Sequence, residues 1–380
     1  MQKILLITNI PTPYRIPLFN ELSRQLIERN IYFKVIFGGL SYPRRKWKID
    51  MSDCKFSYEV LNKSFINLYF LKYGIFLYSG ITRLLLKENP DLIITNGFSL
   101  STMKVCFLNI FNKIKYVIWS GAIVRHIHKD AFSKVLLRKL LVRYATSFIS
   151  YGTKSKLYLE DLGANPNSVF IGINTVDTIF YNSNITSSNS VNIVDTKKHI
   201  LCLGHITLGK KLDNIIHSIK YLSDIRQDFV VDVVGEGPEL ENIINMSNAV
   251  GVRQYFNFTG FKQKHEIPHY LSMAKCFLFP SEYDIWGLVL VEAMSVGIPC
   301  ISSIHAGATC DLIQDGVTGF AMDFSNHVEI AKRIDWILCN PDLSRNIGDN
   351  AKYYIQKHVN LETSVNGFMT AINKNISWCV

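Results

Sequence analysis

Two glycine-bearing segments in the second half of the chain place charged side chains where an anionic ligand could be held. The first reads Leu201-Cys-Leu-Gly204-His205-Ile-Thr-Leu-Gly209-Lys210-Lys211-Leu-Asp213, an apolar run, a glycine loop and the start of a helical pattern. Lysines at a helix start oppose the helix dipole, so Lys210 and Lys211 call for an anion nearby. A solvated surface pair is the plainer alternative, and it suits Lys211 better than Lys210. The second segment reads Phe279-Pro-Ser-Glu-Tyr-Asp284-Ile-Trp-Gly287-Leu-Val-Leu-Val-Glu292-Ala-Met-Ser-Val-Gly297-Ile-Pro299. A strand ending at Pro280 and a helix starting near Gly287 would leave unpaired backbone N–H groups for a diphosphate. Asp284 and Glu292 would then reach one bound molecule from successive levels, one suited to ribose hydroxyls and the other to a sugar. The alternative is that Asp284 caps the helix and Glu292 is a solvated helix residue.

These loops need strands and helices to hold them. Lys3–Thr8, Tyr32–Phe37, Asp91–Thr95, Lys115–Trp119 and Ser147–Ser150 read as short buried strands, with helical periodicity over Ile16–Asn30 between the first two. The polar run Asn182–Ser190 reads as a linker. Beyond it His199–Leu203, Phe229–Val234, Tyr255–Thr259, Cys276–Phe279 and Pro299–Ser302 repeat the rhythm of a parallel sheet wrapped by helices. The expected division is residues 1–181, a linker over 182–192, and residues 193–380, the last helix being free to cross back to the first domain. In such sheets ligands sit beyond the carboxyl ends of the strands, where both glycine segments fall.

The composition, 48% hydrophobic and 19% charged, is that of a folded chain rather than a disordered one. Its charge is uneven. Residues 1–180 carry 25 Lys and Arg against 11 Asp and Glu, and residues 181–380 carry 16 against 20. A basic first half points to an anionic partner, nucleic acid or the inner face of a membrane, with solubility alone as the plainer alternative. No nucleic-acid recognition motif accompanies it, which favours the anionic inner face of a cell membrane, although the basic residues between Arg125 and Arg143 form no clean helical face. No signal peptide is visible, so a cytoplasmic chain, peripheral on that membrane, is expected. Phe65–Leu86 is interrupted by Lys72, Gly74, Gly80 and Arg83, too broken to span a bilayer, and reads as a buried or interfacial helix. The eight cysteines show neither C-x-x-C pairs nor histidines at metal spacing, which argues against zinc and a disulfide framework.

Taken in order, these segments resemble the retaining glycosyltransferases of GT-B fold, the large family four, which includes bacterial lipopolysaccharide, O-antigen and capsule enzymes. Asp284 to Glu292 matches the family's E-x7-E element. Leu162–Pro166, Asn174–Asp177, Val234–Pro238, Thr259–Phe261 and Asp311–Gly319 also agree in order and spacing. The resemblance implies two facing Rossmann-like α/β domains with a cleft between them. It also implies a metal-independent enzyme without a cofactor, moving a hexosyl or N-acetylhexosaminyl unit from a UDP- or GDP-linked donor to a lipid-linked glycan. On the donor side, Glu292 would bind ribose and Lys210 the diphosphate, and Trp286, Gly287, Leu288 and Val289 would line the phosphates. Gly204, His205 and Lys211 would stand beside them, the backbone at Gly260 and Phe261 would face the base, and Asp284 would contact the transferred sugar. Asp284 is one methylene shorter than the family's glutamate. His205 stands where the family usually has arginine, and Lys211 where it prefers glycine. The first loop reads Asn9-Ile-Pro-Thr-Pro13-Tyr14-Arg15 in place of a glycine pair, which would put Tyr14 and Arg15, with Trp119 and Ser120, on the acceptor. A histidine usual after the Trp119 strand is absent, with His126 and His128 beyond.

Overall fold

Parallel strands buried on both faces account for the apolar runs. The computed structural model describes residues 1–40, 46–61, 63–68, 73–78, 80–124, 131–188 and 196–376. The N-terminal unit, Met1–Asn174 with Leu361–Val380, begins with β1 (Gln2–Thr8), α1 (Ile16–Ile27), β2 (Ile31–Phe37) and β3 (Ser57–Val60). It continues through β4 (Lys63–Leu68), β5 (Tyr73–Tyr78), α2 (Ile81–Glu88), β6 (Leu92–Asn96), α3 (Leu100–Asn112) and β7 (Lys115–Ser120). Then come α4 (Phe132–Tyr144), β8 (Ser147–Ser150), α5 (Thr153–Asp161) and β9 (Val169–Ile171). Its main sheet is ordered β3-β2-β1-β6-β7-β8-β9, all parallel. Ile4, Leu5 and Leu6 of the central strand have no exposed surface, as expected where helices cover both faces.

The C-terminal unit, Thr175–Asn360, contains α6 (Thr178–Ser188), β10 (Lys198–Leu203), α7 (Leu212–Ile225), β11 (Phe229–Val234), α8 (Leu240–Ala249), β12 (Phe256–Gly260) and α9 (Ile267–Met273). It is completed by β13 (Ala274–Phe279), α10 (Leu288–Ser295), β14 (Cys300–Ser303), α11 (Thr309–Leu312), β15 (Phe320–Met322), α12 (His327–Cys339) and α13 (Pro341–His358). Its parallel sheet runs β12-β11-β10-β13-β14-β15. In both units the order reverses at the first strand, at β1/β6 and at β10/β13. That reversal is the topological switch point at which ligands bind in open α/β sheets.

Three expectations need correction. Phe65–Leu86 is not one helix: Lys63 pairs with Tyr78 and Leu68 with Tyr73 as antiparallel strands, and among the described residues of this stretch the helix is confined to Ile81–Glu88. The aromatic and β-branched residues Phe65, Ile66, Tyr73, Ile75, Phe76 and Tyr78 favour the pleated form there. The linker expected over 182–192 is helical through Ser188, because α6 packs on α9 and α10 and so gains a tertiary partner for its polar sequence; residues 189–195 lie outside those described. The units divide after Asn174 rather than after 181; the last helix, α14 (Leu361–Asn373), groups with the N-terminal unit, the crossing back that the sequence left open. There it packs on α1, β8 and β9, with Phe368 against Trp119 at 5.1 Å between ring centroids.

Candidate functional site

At the β10/β13 switch point the two glycine segments meet. The Gly209 carbonyl accepts from the amides of Glu282 at 3.1 Å and Tyr283 at 3.4 Å. The Lys210 ammonium pairs with Oδ2 of Asp284 and lies 5.2 Å from the centre of the Phe279 ring. Asp284 Oδ1 accepts from the Trp286 amide at 3.1 Å, so this carboxylate orders its own loop and holds the lysine together. Lys211 pairs with Glu282 at 3.4 Å. Its backbone is left-handed, with φ of 50°, which is the physical sense of a glycine preference at that position.

A cleft in this unit is lined by Gly204, His205, Lys210, Phe279, Pro280 and Ser281. The Ser281 hydroxyl is buried without a hydrogen-bond partner, a condition costing about 1 kcal/mol or more that a ligand oxygen would relieve. The neighbouring loops brace this wall. The Gly204 amide donates to Val234 O at 3.0 Å, Ile206 to Glu236 O at 2.8 Å, and Gly235 to Gly260 O at 2.9 Å. Gly204, Gly235 and Gly260 thus share one edge, and Phe261 follows directly. Below Asp284, the amides of Gly307 and Ala308 donate to the carbonyls of Asp284 at 2.8 Å and Trp286 at 3.1 Å.

Helix α10 is preceded by Gly287 at its cap position, whose φ is 105° and which supplies no side-chain cap, so the first-turn amides at Leu288 and Val289 face outward from the helix start. Glu292 follows in the next turn. It is half-buried, and its Oε1 accepts from the Tyr181 hydroxyl of α6 at 2.8 Å. Burial pushes the Glu292 carboxyl up to about 7, against the Tyr181 hydrogen bond and the positive charge of Lys264, which pull it down. It is therefore neither a solvated helix residue nor an ordinary carboxylate. Burial together with the adjacent carboxylate also holds the Tyr181 phenol well above its usual range.

Two expected donor contacts change. The Trp286 side chain is 2% exposed, and both its backbone groups are already bonded, so it belongs to the support of the loop and not to its surface. Lys211 is held to Glu282 and Asp213 as a cap residue of α7. In the N-terminal unit Trp119 and Ser120 are buried as well, at 0% and 2% exposed, because β7 is an interior strand covered on both faces. Trp119 packs on Tyr151 and Phe19, and Ser120 Oγ accepts from the Ala122 amide at 3.1 Å. Arg15 keeps its position beyond β1. Its guanidinium lies 4.4 Å from the Trp119 ring centre and donates to the Tyr151 hydroxyl at 2.6 Å and Thr8 Oγ1 at 3.1 Å. Tyr14 packs edge-on against Trp47. His126 and His128 lie outside the described residues. Tyr181, Ser281 and Tyr151 carry no signal that a sequence reading would catch; Tyr181 is 111 positions from its partner Glu292.

Residues 183–354 match the family model described as glycosyl transferases, group 1. An uncharacterized glycosyltransferase of Haemophilus influenzae is 23% identical over 287 residues, which is 75% of this chain and 77% of that protein. The N-acetyl-α-D-glucosaminyl L-malate synthase of Bacillus anthracis is 25% identical over 179 residues, 47% of this chain and 46% of the relative. Six further curated relatives, among them the 2-deoxystreptamine N-acetyl-D-glucosaminyltransferase of Niallia circulans, are likewise matched over less than half their own length. Among solved structures, Anabaena HepE in complex with UDP and glucose superposes with a TM-score of 0.78 at 17% identity, covering 98% of this chain and 100% of HepE. The fold is thus that of GT-B glycosyltransferase structures.

Proposed function

We propose that this chain, a group 1 glycosyltransferase, moves a hexosyl or N-acetylhexosaminyl unit from a UDP- or GDP-linked donor held by its C-terminal unit to a lipid-linked glycan, with retention of configuration. The observation that carries the donor half is the meeting of Lys210, Asp284 and the uncapped α10 start at the β10/β13 switch point. Positive charge and backbone amides in one place suit a diphosphate leaving group. Glu292 would take the ribose hydroxyls, and Asp284 the sugar, once the diphosphate draws Lys210 away from it. Lys210 and the amides would stabilise charge growing on the diphosphate, and no step in this scheme calls for a metal ion. The acceptor hydroxyl would form its bond on the face from which the diphosphate leaves.

The basic N-terminal half supports an acceptor at the inner membrane face, with Tyr14 and Arg15 beyond β1 as its contacts, in the synthesis of a bacterial surface polysaccharide such as lipopolysaccharide, O-antigen or capsule. A synthase or phosphorylase acting on a soluble acceptor is the second reading, favoured by the malate-acting relative. Purified protein incubated with UDP- and GDP-sugars, with and without a bacterial lipid extract, tests both. Nucleotide release stimulated by the extract is expected. Stimulation by soluble sugars or acids alone overturns the lipid-linked acceptor, and no release with any donor overturns the donor site.

A further inference from the structure

Helices α3 and α4 lie side by side on the N-terminal unit. Each buries one face, through Val105, Cys106 and Leu108 of α3 and Leu141 and Val142 of α4. Their opposite faces remain apolar where a solvated helix would be polar. Phe107 is 62% exposed and Phe111 67%, one turn apart with ring centres 4.6 Å from each other. On α4, Phe132, Leu136 and Leu140 recur at four-residue spacing, which lines them along one side, and Phe132 is 82% exposed.

The charge on the same helices has one sign. Neither contains an Asp or Glu, while α3 carries Lys104 and α4 carries Lys134, Arg138, Lys139 and Arg143. Arg138 is drawn inward to Tyr158 and the Phe98 ring, whereas Lys139 and Arg143 are exposed. An isologous contact between two copies would set this basic face against itself with no carboxylate to answer it. An anionic bilayer answers both features, with acyl chains for the aromatic residues and headgroups for the cations. Among the described residues no helix is long and apolar enough to cross a membrane, so these helices would lie on the surface.

We propose that α3 and α4 form the membrane-docking face, with Phe107, Phe111, Phe132 and Leu136 entering the headgroup boundary and Lys139 and Arg143 meeting anionic phospholipid. The inference rests on the peripheral attachment proposed above and names the surface that makes it. Binding then has a part that salt screens over about 10 Å at 0.1 M and a part that salt leaves intact.

Full-length protein is co-sedimented with phosphatidylcholine vesicles and with vesicles containing phosphatidylglycerol. Wild type is expected on the anionic vesicles, with residual binding at high salt. Phe107→Ser with Phe111→Ser removes the residual part, and Lys139→Glu with Arg143→Glu lowers low-salt binding by more than about tenfold. In both cases the melting temperature and nucleotide release without acceptor stay unchanged. Arg29→Glu with Lys55→Glu makes the same charge change outside both helices and is expected to keep most of the binding. Equal loss in that variant, or wild-type binding by the α3 and α4 variants, overturns the assigned face and leaves the peripheral reading standing. Wild type that ignores anionic vesicles overturns both, while nucleotide release still tests transfer separately. A wild-type dimer in sedimentation velocity that the phenylalanine changes abolish assigns the face to a second copy instead.

Discussion

The Tyr181 hydroxyl donates to Oε1 of Glu292 at 2.8 Å, joining α6 to α10 within the C-terminal unit and steadying a carboxyl that burial raises to about 7. Both ribose hydroxyls can donate to a carboxylate, whereas the protonated form keeps only part of that acceptor capacity and makes weaker, uncharged hydrogen bonds. Donor or free nucleoside diphosphate should therefore bind more tightly as pH rises through about 7, releasing a proton on binding below that point. Tyr181→Phe removes one influence that lowers the Glu292 value, so it should weaken binding at neutral pH and move the transition upward. Titration calorimetry between about pH 6 and about pH 8 reads both effects. Equal affinity at the two ends would detach Glu292 from the ribose.

Glu292→Gln should separate stability from binding. In the donor-free protein the native carboxyl holds its proton up to about 7, whereas the unfolded one releases it near the ordinary value of 4.5. Stability is greatest below the lower value and declines as pH rises through that window, because the native state binds the extra proton. The neutral amide avoids this decline, so the variant should gain up to about 3 kcal/mol over wild type at about pH 8 and little at about pH 4. Nucleotide binding should fall by more than about tenfold at about pH 8, and by little at about pH 4, where the wild-type carboxyl is already protonated. Urea unfolding at both pH values is the check, and a variant less stable than wild type at the higher pH would contradict the burial account.

Lys210→Ala should lower kcat by about 100-fold, the scale seen when one group stabilising transition-state charge is removed, with little change in melting temperature. Its side chain is partly buried and pairs with Asp284 at the wall of the cleft, so the folded state loses one ion pair at the edge of the unit, worth on the order of 1 kcal/mol. Lys210→Arg should recover part of the turnover. A chelator should leave wild-type turnover unchanged, since Lys210 and the α10 amides carry the charge in this scheme. A large fall in melting temperature with turnover kept would make Lys210 a loop strut instead.

The alternation of apolar runs and helical periods made both sheets legible in the sequence, and Ser147–Ser150 and Phe229–Val234 are observed as strands over those same residues. The loops at Gly204–Lys211 and Pro280–Gly287 were legible for the same reason, since each follows a strand and precedes a helix. Direction of the side chain was not. Trp286 and Trp119 look like ligand-facing aromatics by position, but a residue at the end of an interior strand or beneath a tight loop has its space decided by what covers it: Phe368 packs on Trp119, and the Trp286 backbone is tied to Ala308. The β4/β5 pair was missed because short aromatic runs satisfy helix and strand templates alike. Tyr181 was missed because its role depends on how α6 meets α10, which no local pattern encodes.

The wall around Gly204 gives the sharpest mechanical test. Gly235 directly follows β11 with φ of 152°, and a Cβ there would lie 1.9 Å from the Gly204 carbonyl oxygen, well inside contact distance. The obstruction is backbone, so it yields only if the Gly204–Ile206 loop moves, and that loop carries His205 and leads to Lys210. Gly235→Ala should therefore destabilise the protein by about 3 kcal/mol and weaken nucleotide binding beyond what the lost stability explains. Gly316→Ala serves as the comparison: its φ is 72° with nothing within 4 Å of the added carbon, so only the left-handed backbone is penalised, by about 1 kcal/mol. Urea midpoints for the two variants, with nucleotide affinity measured where both are folded, distinguish close packing from backbone strain. If Gly235→Ala proves as mild as Gly316→Ala and binds nucleotide normally, the Gly204 loop is free to shift and does not set the geometry of the donor site.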